Sequence, residues 1–228
     1  MEDLKKMSLK ELEDLCGDIR SEIIEVVCKN GGHLGPNLGV VELSTALHYV
    51  YNSPVDKIVW DVGHQSYVHK MLTGRRDRFH TIRKRGGLGP FTDPNESIHD
   101  QFISGHAGSA LSVSAGLAAA NPDKNVAVVI GDASFANGTT LEALNDINGK
   151  LKNLTIIIND NEMSIGENVG AISGILNKVI NSSFYLKLRK DLRYVLSRYN
   201  LTKPIVKPTE RVEQSLRSIV TPGGFFNI

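Results

Sequence analysis

The chain has 228 residues, 41% of them hydrophobic and 22% charged, enough for one sizeable α/β domain with a helical appendage. Twenty-six basic against 25 acidic side chains leave a formal charge of +1, which argues against a nucleic-acid partner or a charged membrane surface. No apolar stretch reaches the length of a membrane span, and the acidic opening Met1-Glu2-Asp3 is not a signal peptide. The two cysteines, Cys16 and Cys28, fall in one predicted helix, so reduced core thiols in a cytoplasmic protein are expected.

Ser8-Leu9-Lys10-Glu11 is a capping box, in which serine and glutamate satisfy each other's orphan amides. It starts a helix with the inner stripe Leu12, Leu15, Ile19, Ile23 and Val26 or Val27, stopped at Asn30-Gly31-Gly32. A second helix is predicted from about Leu38, with Val41, Leu43, Leu47 and Val50 turned inward. Ile58 to Val62 reads as the first strand, with Gly63-His64 at its exit. Arg75 to Pro94 is basic, glycine-rich and aperiodic, and reads as connector and loop. Gly105 to Ala120 is predicted helical but is built mostly of small residues, which permit close backbone approach.

Val126 to Ile130 and Leu154 to Ile158 are short apolar runs bounded by turn residues, the pattern of strands in a buried parallel sheet. Between them Leu141, Leu144 and Ile147 recur at helical spacing. Beyond Ile165, Gly166 to Gly174 reads as a loop, followed by a helix from Ile175 and a basic stretch from Tyr185 to Arg198. Pro204 and Pro208 precede a final helix near Glu210 to Val220. The expectation is an α/β fold with a parallel sheet flanked by helices. Residues 1–170 form its core and 171–228 a helical extension that ends in an apolar tail, Phe225, Phe226 and Ile228. Such a tail looks cut.

The residues that could do chemistry collect at strand exits. Gly131-Asp132 closes one run and Asn159-Asp160-Asn161 closes the next. A right-handed crossover brings both exits to one edge of the sheet, where open α/β folds bind ligands. Asp132 and Asn161 are oxygen donors, and Mg²⁺ with a bound diphosphate wants such ligands. His64 at a strand exit and His106 at the start of the small-residue helix are expected at that same edge, with His33 a third histidine after a glycine. The chain has no Walker-type loop, no complete dinucleotide fingerprint, no metalloprotease helix and no nucleophile elbow.

A strand ending in Gly-Asp, then a helix, then a strand ending in Asn-x-Asn resembles the thiamin diphosphate signature. More specific are Gly32-His33-Leu34-Gly35-Pro36-Asn37-Leu38-Gly39, Trp60-Asp61-Val62-Gly63-His64-Gln65-Ser66-Tyr67-Val68-His69-Lys70, Leu72-Thr73-Gly74-Arg75-Arg76-Asp77 and Asn159-Asp160-Asn161-Glu162-Met163-Ser164-Ile165. With these blocks the chain resembles the 1-deoxy-D-xylulose-5-phosphate synthases, most strongly from 30 to 170. The resemblance implies thiamin diphosphate and Mg²⁺ as cofactors, with Asp132 and Asn161 on the metal by side chain and Met163 by its backbone carbonyl. His64, Gly105, His106, Ala107, Ala133 and Ser134 would line the cofactor. His33 and His64 would be catalytic, His33 assisting proton transfer. The implied substrates are pyruvate and D-glyceraldehyde 3-phosphate, joined with loss of CO₂.

Two features depart from the family pattern. Ala133 stands at the third position of a motif that is usually Gly-Asp-Gly in the family; its methyl is harmless at negative φ, which is the expectation. The chain also lacks the family's second domain, with the glutamate that activates the aminopyrimidine ring, so it is expected to be inactive alone. A homo-oligomer, most simply a dimer, or a partner subunit with the missing domains is expected to cover the apolar surface so exposed. Two other readings remain at this stage: the amino-terminal subunit of a split transketolase, and a non-catalytic remnant that only oligomerises.

Overall fold

The computed structural model describes residues 3–147 and 151–159. Expectations placed on 160–228, including the helical extension, therefore lie outside the described residues. After a 3₁₀ turn at Leu4–Lys6, the order is α1 (Leu9–Asn30), α2 (Leu34–Leu38), α3 (Val41–Val50), β1 (Lys57–Trp60) and α4 (Tyr67–Lys70). Then come α5 (Ala110–Ala120), β2 (Val126–Gly131), α6 (Asp132–Phe135), α7 (Gly138–Ile147) and β3 (Leu154–Asn159). The three strands form a parallel sheet of order β1-β2-β3, as the apolar runs predict. β1 pairs with β2 in the register Lys57↔Val126 to Trp60↔Val129. β2 is central and Val126 to Ile130 are buried, which is why that run carries no polar alternation.

Alternate residues of the sheet serve two faces. Ile58, Trp60, Ala127 and Val129 pack with Leu47 of α3, while α5 lies against β1 and β2. α1 starts at the expected capping box, with Ser8 Oγ accepting from Glu11 N–H and Glu11 Oε2 accepting from Ser8 N–H at 2.7 Å. Its buried face, Cys16, Ile19, Ile23, Val26 and Val27, builds a second core with Val41, Tyr67, Met71 and Phe79.

Four expectations are corrected. β1 ends at Trp60, because Val62 has φ 61° and Gly63 φ 79°, so the chain turns out of the strand before the apolar run is finished. Val50 is 67% exposed, and α3 instead buries Ser44, Thr45 and His48 beside Val41 and Leu47. The small-residue helix begins at Ala110, since Gly105 (φ 138°) and Gly108 (φ 88°) hold the preceding segment out of helical conformation. Cys28 is exposed, so only Cys16 is a core thiol.

The segment read as connector also holds structure: a 3₁₀ helix at Arg76–Thr81 and, at its start, Arg75, a member of a buried polar network. His48 Nε2 meets His69 Nδ1 at 2.9 Å, and His69 Nε2 meets Asp100 Oδ1 at 3.0 Å. Asp100 accepts a two-pronged ion pair from Arg75, both contacts at 2.8 Å, and Glu96 pairs with Arg75 and with the fully buried Lys70. Burial alone would raise the Asp100 pKa, but hydrogen bonds from Arg75 and His69 hold it below the usual carboxylate range. Burial pushes the Lys70 pKa down and the Glu96 carboxylate opposes it.

The histidines of the network are neutral for the same reason. Burial, reinforced by His69, His99 and Arg75, holds His48 well below the ordinary imidazole value, and burial lowers His69 against the pull of Asp100. The unfolded chain takes up these protons near pH ~6.5, and the folded chain only at lower pH. Between those values the unfolded state binds more protons, so stability is full above about pH 6.5 and is lost as pH falls. The urea midpoint should therefore drop between about pH 7.5 and pH 5.5, by the equivalent of about 1 kcal/mol or more. His48→Gln, which keeps a donor toward His69 but takes up no proton, should narrow that difference.

Candidate functional site

In a parallel sheet all carboxyl ends share one edge. Asp61 to His64 leave β1 there, Asp132 leaves β2, and Asn159 ends β3. This is the edge at which open α/β domains bind ligands.

The exit of β1 is shaped by strain and by one carboxylate. Gly63 N–H closes back onto Asp61 O at 2.6 Å across Val62, a left-handed turn that a β-branched residue adopts only under constraint. Gly63 is required next, because a Cβ there would overlap Ser104 Oγ as well as face a positive φ. Asp61 itself is buried, and its carboxylate accepts the N–H groups of Gly108 (3.0 and 3.1 Å) and Ala110 (3.2 Å). One residue thus caps the start of α5 and ties the Gly105-His106-Ala107 segment to the exit of β1.

A second buried polar residue joins the two histidine loops. Asn37 Nδ2 donates to His33 O at 2.7 Å and His64 O at 2.8 Å, while its Oδ1 accepts from Tyr67 N at 2.9 Å. The His33 and His64 rings consequently meet edge-on, with centroids 5.7 Å apart, and Phe91 lies 5.9 Å from His33 on another side. Burial lowers the His33 pKa, with Arg83 adding to it. Burial also lowers that of His64, with His33 adding and Asp61 opposing. Both rings are therefore neutral at pH 7 in the free chain. Nδ1 of each is buried and has no hydrogen-bond partner among the described residues.

The structure thus brings His33 and His64 together and sets the Gly105-His106-Ala107 loop, with His106 and Ala107 exposed, at the same edge. Asp132 and Ala133 lie in the first turn of α6; Ala133 is helical and exposed, not left-handed, so its methyl meets no backbone strain. Ser134 is buried and its carbonyl accepts from Thr140 Oγ1 at 2.8 Å, which fixes α6 against α7. Asn161 and Met163 lie outside the described residues. Of the implied metal ligands only Asp132 is described, and no cluster of three His, Cys, Asp or Glu able to hold a metal occurs among the described residues. Sequence reasoning assigned no role to Asn37, Asp61, Tyr67 or Phe91, whose partners in the fold lie far from them in the chain.

Two orphaned imidazole nitrogens, a glycine-shaped loop and a buried carboxylate stand at the carboxyl edge of a parallel sheet. The chain is thus an α/β domain with polar groups gathered where open sheets bind ligands. A family model described as 1-deoxy-D-xylulose-5-phosphate synthase matches residues 1–228, and the chain belongs to that family. Its fold is accordingly of the thiamin diphosphate-binding type. It is 54% identical over 93% of its length to a 1-deoxy-D-xylulose-5-phosphate synthase of Fusobacterium nucleatum. It is 48% identical over 98% to those of Syntrophotalea carbinolica and Caldanaerobacter subterraneus. The chain spans 36 to 37% of the length of these relatives. No helix among the described residues is long and apolar enough to cross a membrane.

Asp61→Asn tests the geometry of the edge. Loss of the charged acceptor for two amides should destabilise the chain by about 1–3 kcal/mol in urea titration. Because the Asp61 charge supports protonated His64, the His64 titration midpoint followed by NMR should fall.

Proposed function

We propose that this chain provides the diphosphate- and Mg²⁺-binding half of a 1-deoxy-D-xylulose-5-phosphate synthase. The reaction is a transferase step on the isoprenoid and thiamin precursor route. It joins pyruvate and D-glyceraldehyde 3-phosphate to give 1-deoxy-D-xylulose 5-phosphate and CO₂. The observation that carries the reading is the meeting of His33 and His64 beside the strand exits, each with an unpartnered buried Nδ1. The family resemblance supplies the identity of the ligand. In support, two buried imidazole nitrogens lack partners among the described residues, and Asp132 at the exit of β2 carries oxygens of the kind that a divalent ion takes.

When bound, thiamin diphosphate supplies the electron sink for decarboxylation and carbon–carbon bond formation. This chain's residues orient it and handle protons. Asp132 would hold Mg²⁺ with Asn161 and the carbonyl of Met163. His64, Gly105, His106, Ala107, Ala133 and Ser134 would line the cofactor. His33, neutral at pH 7 because it is buried, is in the right state to accept a proton at a free ring nitrogen. Residues 1–170 would be the binding core and 171–228 its extension. The assembly is proposed to be cytoplasmic and a dimer, or a complex with a subunit carrying the remaining domains. Ile98 at 75% and Ile103 at 67% exposure offer apolar surface to it.

Calorimetric titration tests the reading directly. Thiamin diphosphate should bind the chain only with Mg²⁺ present, and Asp132→Ala should weaken that binding at least ~10-fold, or about 1.4 kcal/mol. A folded wild-type chain that shows no metal-dependent heat would leave the non-catalytic remnant as the answer.

A further inference from the structure

The two carboxylates of the buried network face two ways. Glu96 receives Lys70 and Arg75 on Oε1, and on Oε2 it accepts the N–H of Gly89 at 2.8 Å. Asp100 receives Arg75 on both oxygens, and its Oδ2 also accepts the N–H of Asp93 at 2.9 Å. Each acid therefore grips cations from the α4 region on one side and the backbone of a single loop on the other. Two ion-paired carboxylates thus also hold two amides.

That loop forms a wall of the candidate site. Phe91, between the two gripped amides, stands 5.9 Å from the His33 ring, and a Cβ placed on Gly105 would meet its ring at 3.7 Å. Thr92 is locked to Ser104 through Oγ1···Oγ at 2.8 Å and through N–H to Oγ at 3.2 Å. Ser104 Oγ in turn fills the space that a Cβ on Gly63 would need, directly before His64.

We infer that Glu96 and Asp100 are positioning residues for the His33–His64 pair, acting through the Gly89 and Asp93 amides to seat Phe91 against His33. The bearing on catalysis rests on the role proposed for His33, but the geometry and its test do not.

The readout is the His33 titration midpoint, followed by NMR on the whole chain without cofactor. The groups facing His33 are His64 from the exit of β1, Tyr67 from α4, Arg83 from the 82–88 turn and Phe91 from the wall. Burial is the leading reason that His33 resists protonation, so uncovering it should raise the midpoint. Phe91→Ala should raise it by about 0.5 pH unit or more. Lys70→Met with Glu96→Ala removes the acceptor for Gly89 without leaving an unpaired buried cation, and should raise it likewise. Lys70→Met with Glu96→Gln keeps an acceptor for Gly89 and should return the midpoint to near the wild-type value. The same ranking should persist in an Arg83→Gln background, which removes the positive charge that, among the described residues, acts on the ring. Equal midpoints for the Ala and Gln pairs would overturn the inference, because a purely structural network cannot tell them apart through His33. An unchanged midpoint in Phe91→Ala would overturn it by itself, even if the paired Ala variant does not fold.

Discussion

Asp61 joins the sheet to everything that the site is made of. Its backbone continues the pairing of β1, with its N–H on Val129 O at 2.9 Å, while its carboxylate caps the first turn of α5. A buried carboxylate without such donors would be costly, and amides at a helix start without an acceptor would be orphaned. Each deficit cures the other. The result is that the end of β1 and the 105–110 segment, far apart in the chain, cannot move independently. Asn37 does the same at lower charge for the His33 and His64 loops, with one amide satisfying two carbonyls and one N–H.

Buried charge is a second theme. Lys70, Arg75 and Asp100 are all buried and Glu96 nearly so, and such groups are weak sources of net stability because desolvation offsets the attraction. Breaking one partner away is another matter, since the charge left behind has no water to turn to. A network of this type therefore adds little to how firmly the chain folds and much to which arrangement it folds into. Here the arrangement it selects is the course of the 89–104 loop.

Much of the fold was legible because burial on both faces erases polar alternation. Val126 to Ile130 shows this, all five residues being buried in the central strand; Leu154 to Ile158 has the same apolar run, but β3 leaves Thr155 and Ile158 exposed, so apolar sequence overstated its burial. Ser8 with Glu11 marked the start of α1 within a residue. Errors arose where local pattern and tertiary demand disagree. The apolar run at Ile58 to Val62 continues past the real end of β1, because the turn at Val62 is imposed by Asp61 and Ser104 rather than by turn-forming side chains. α3 was read with Val50 inside and nothing was read into His48, since amphipathic logic looks only for the apolar stripe; a buried histidine needs a partner, and His69 comes from another helix. Gly105 and Gly108 did carry a signal that α5 starts late, visible once a left-handed requirement is asked of each. In the site, strand exits and glycine-flanked histidines were readable, whereas the ties made by Asn37, Asp61, Glu96 and Asp100 were not. Those ties link residues distant in sequence, and no spacing rule reports them.

The constrained turn at Val62 has a mechanical consequence. A β-branched residue held at positive φ stores on the order of 1–2 kcal/mol. The bend that carries His64 is therefore held against its own backbone preference. Asp61, bound to the Gly108 and Ala110 amides before it, and Gly63, pressed against Ser104 after it, keep the imidazole two positions on in one place.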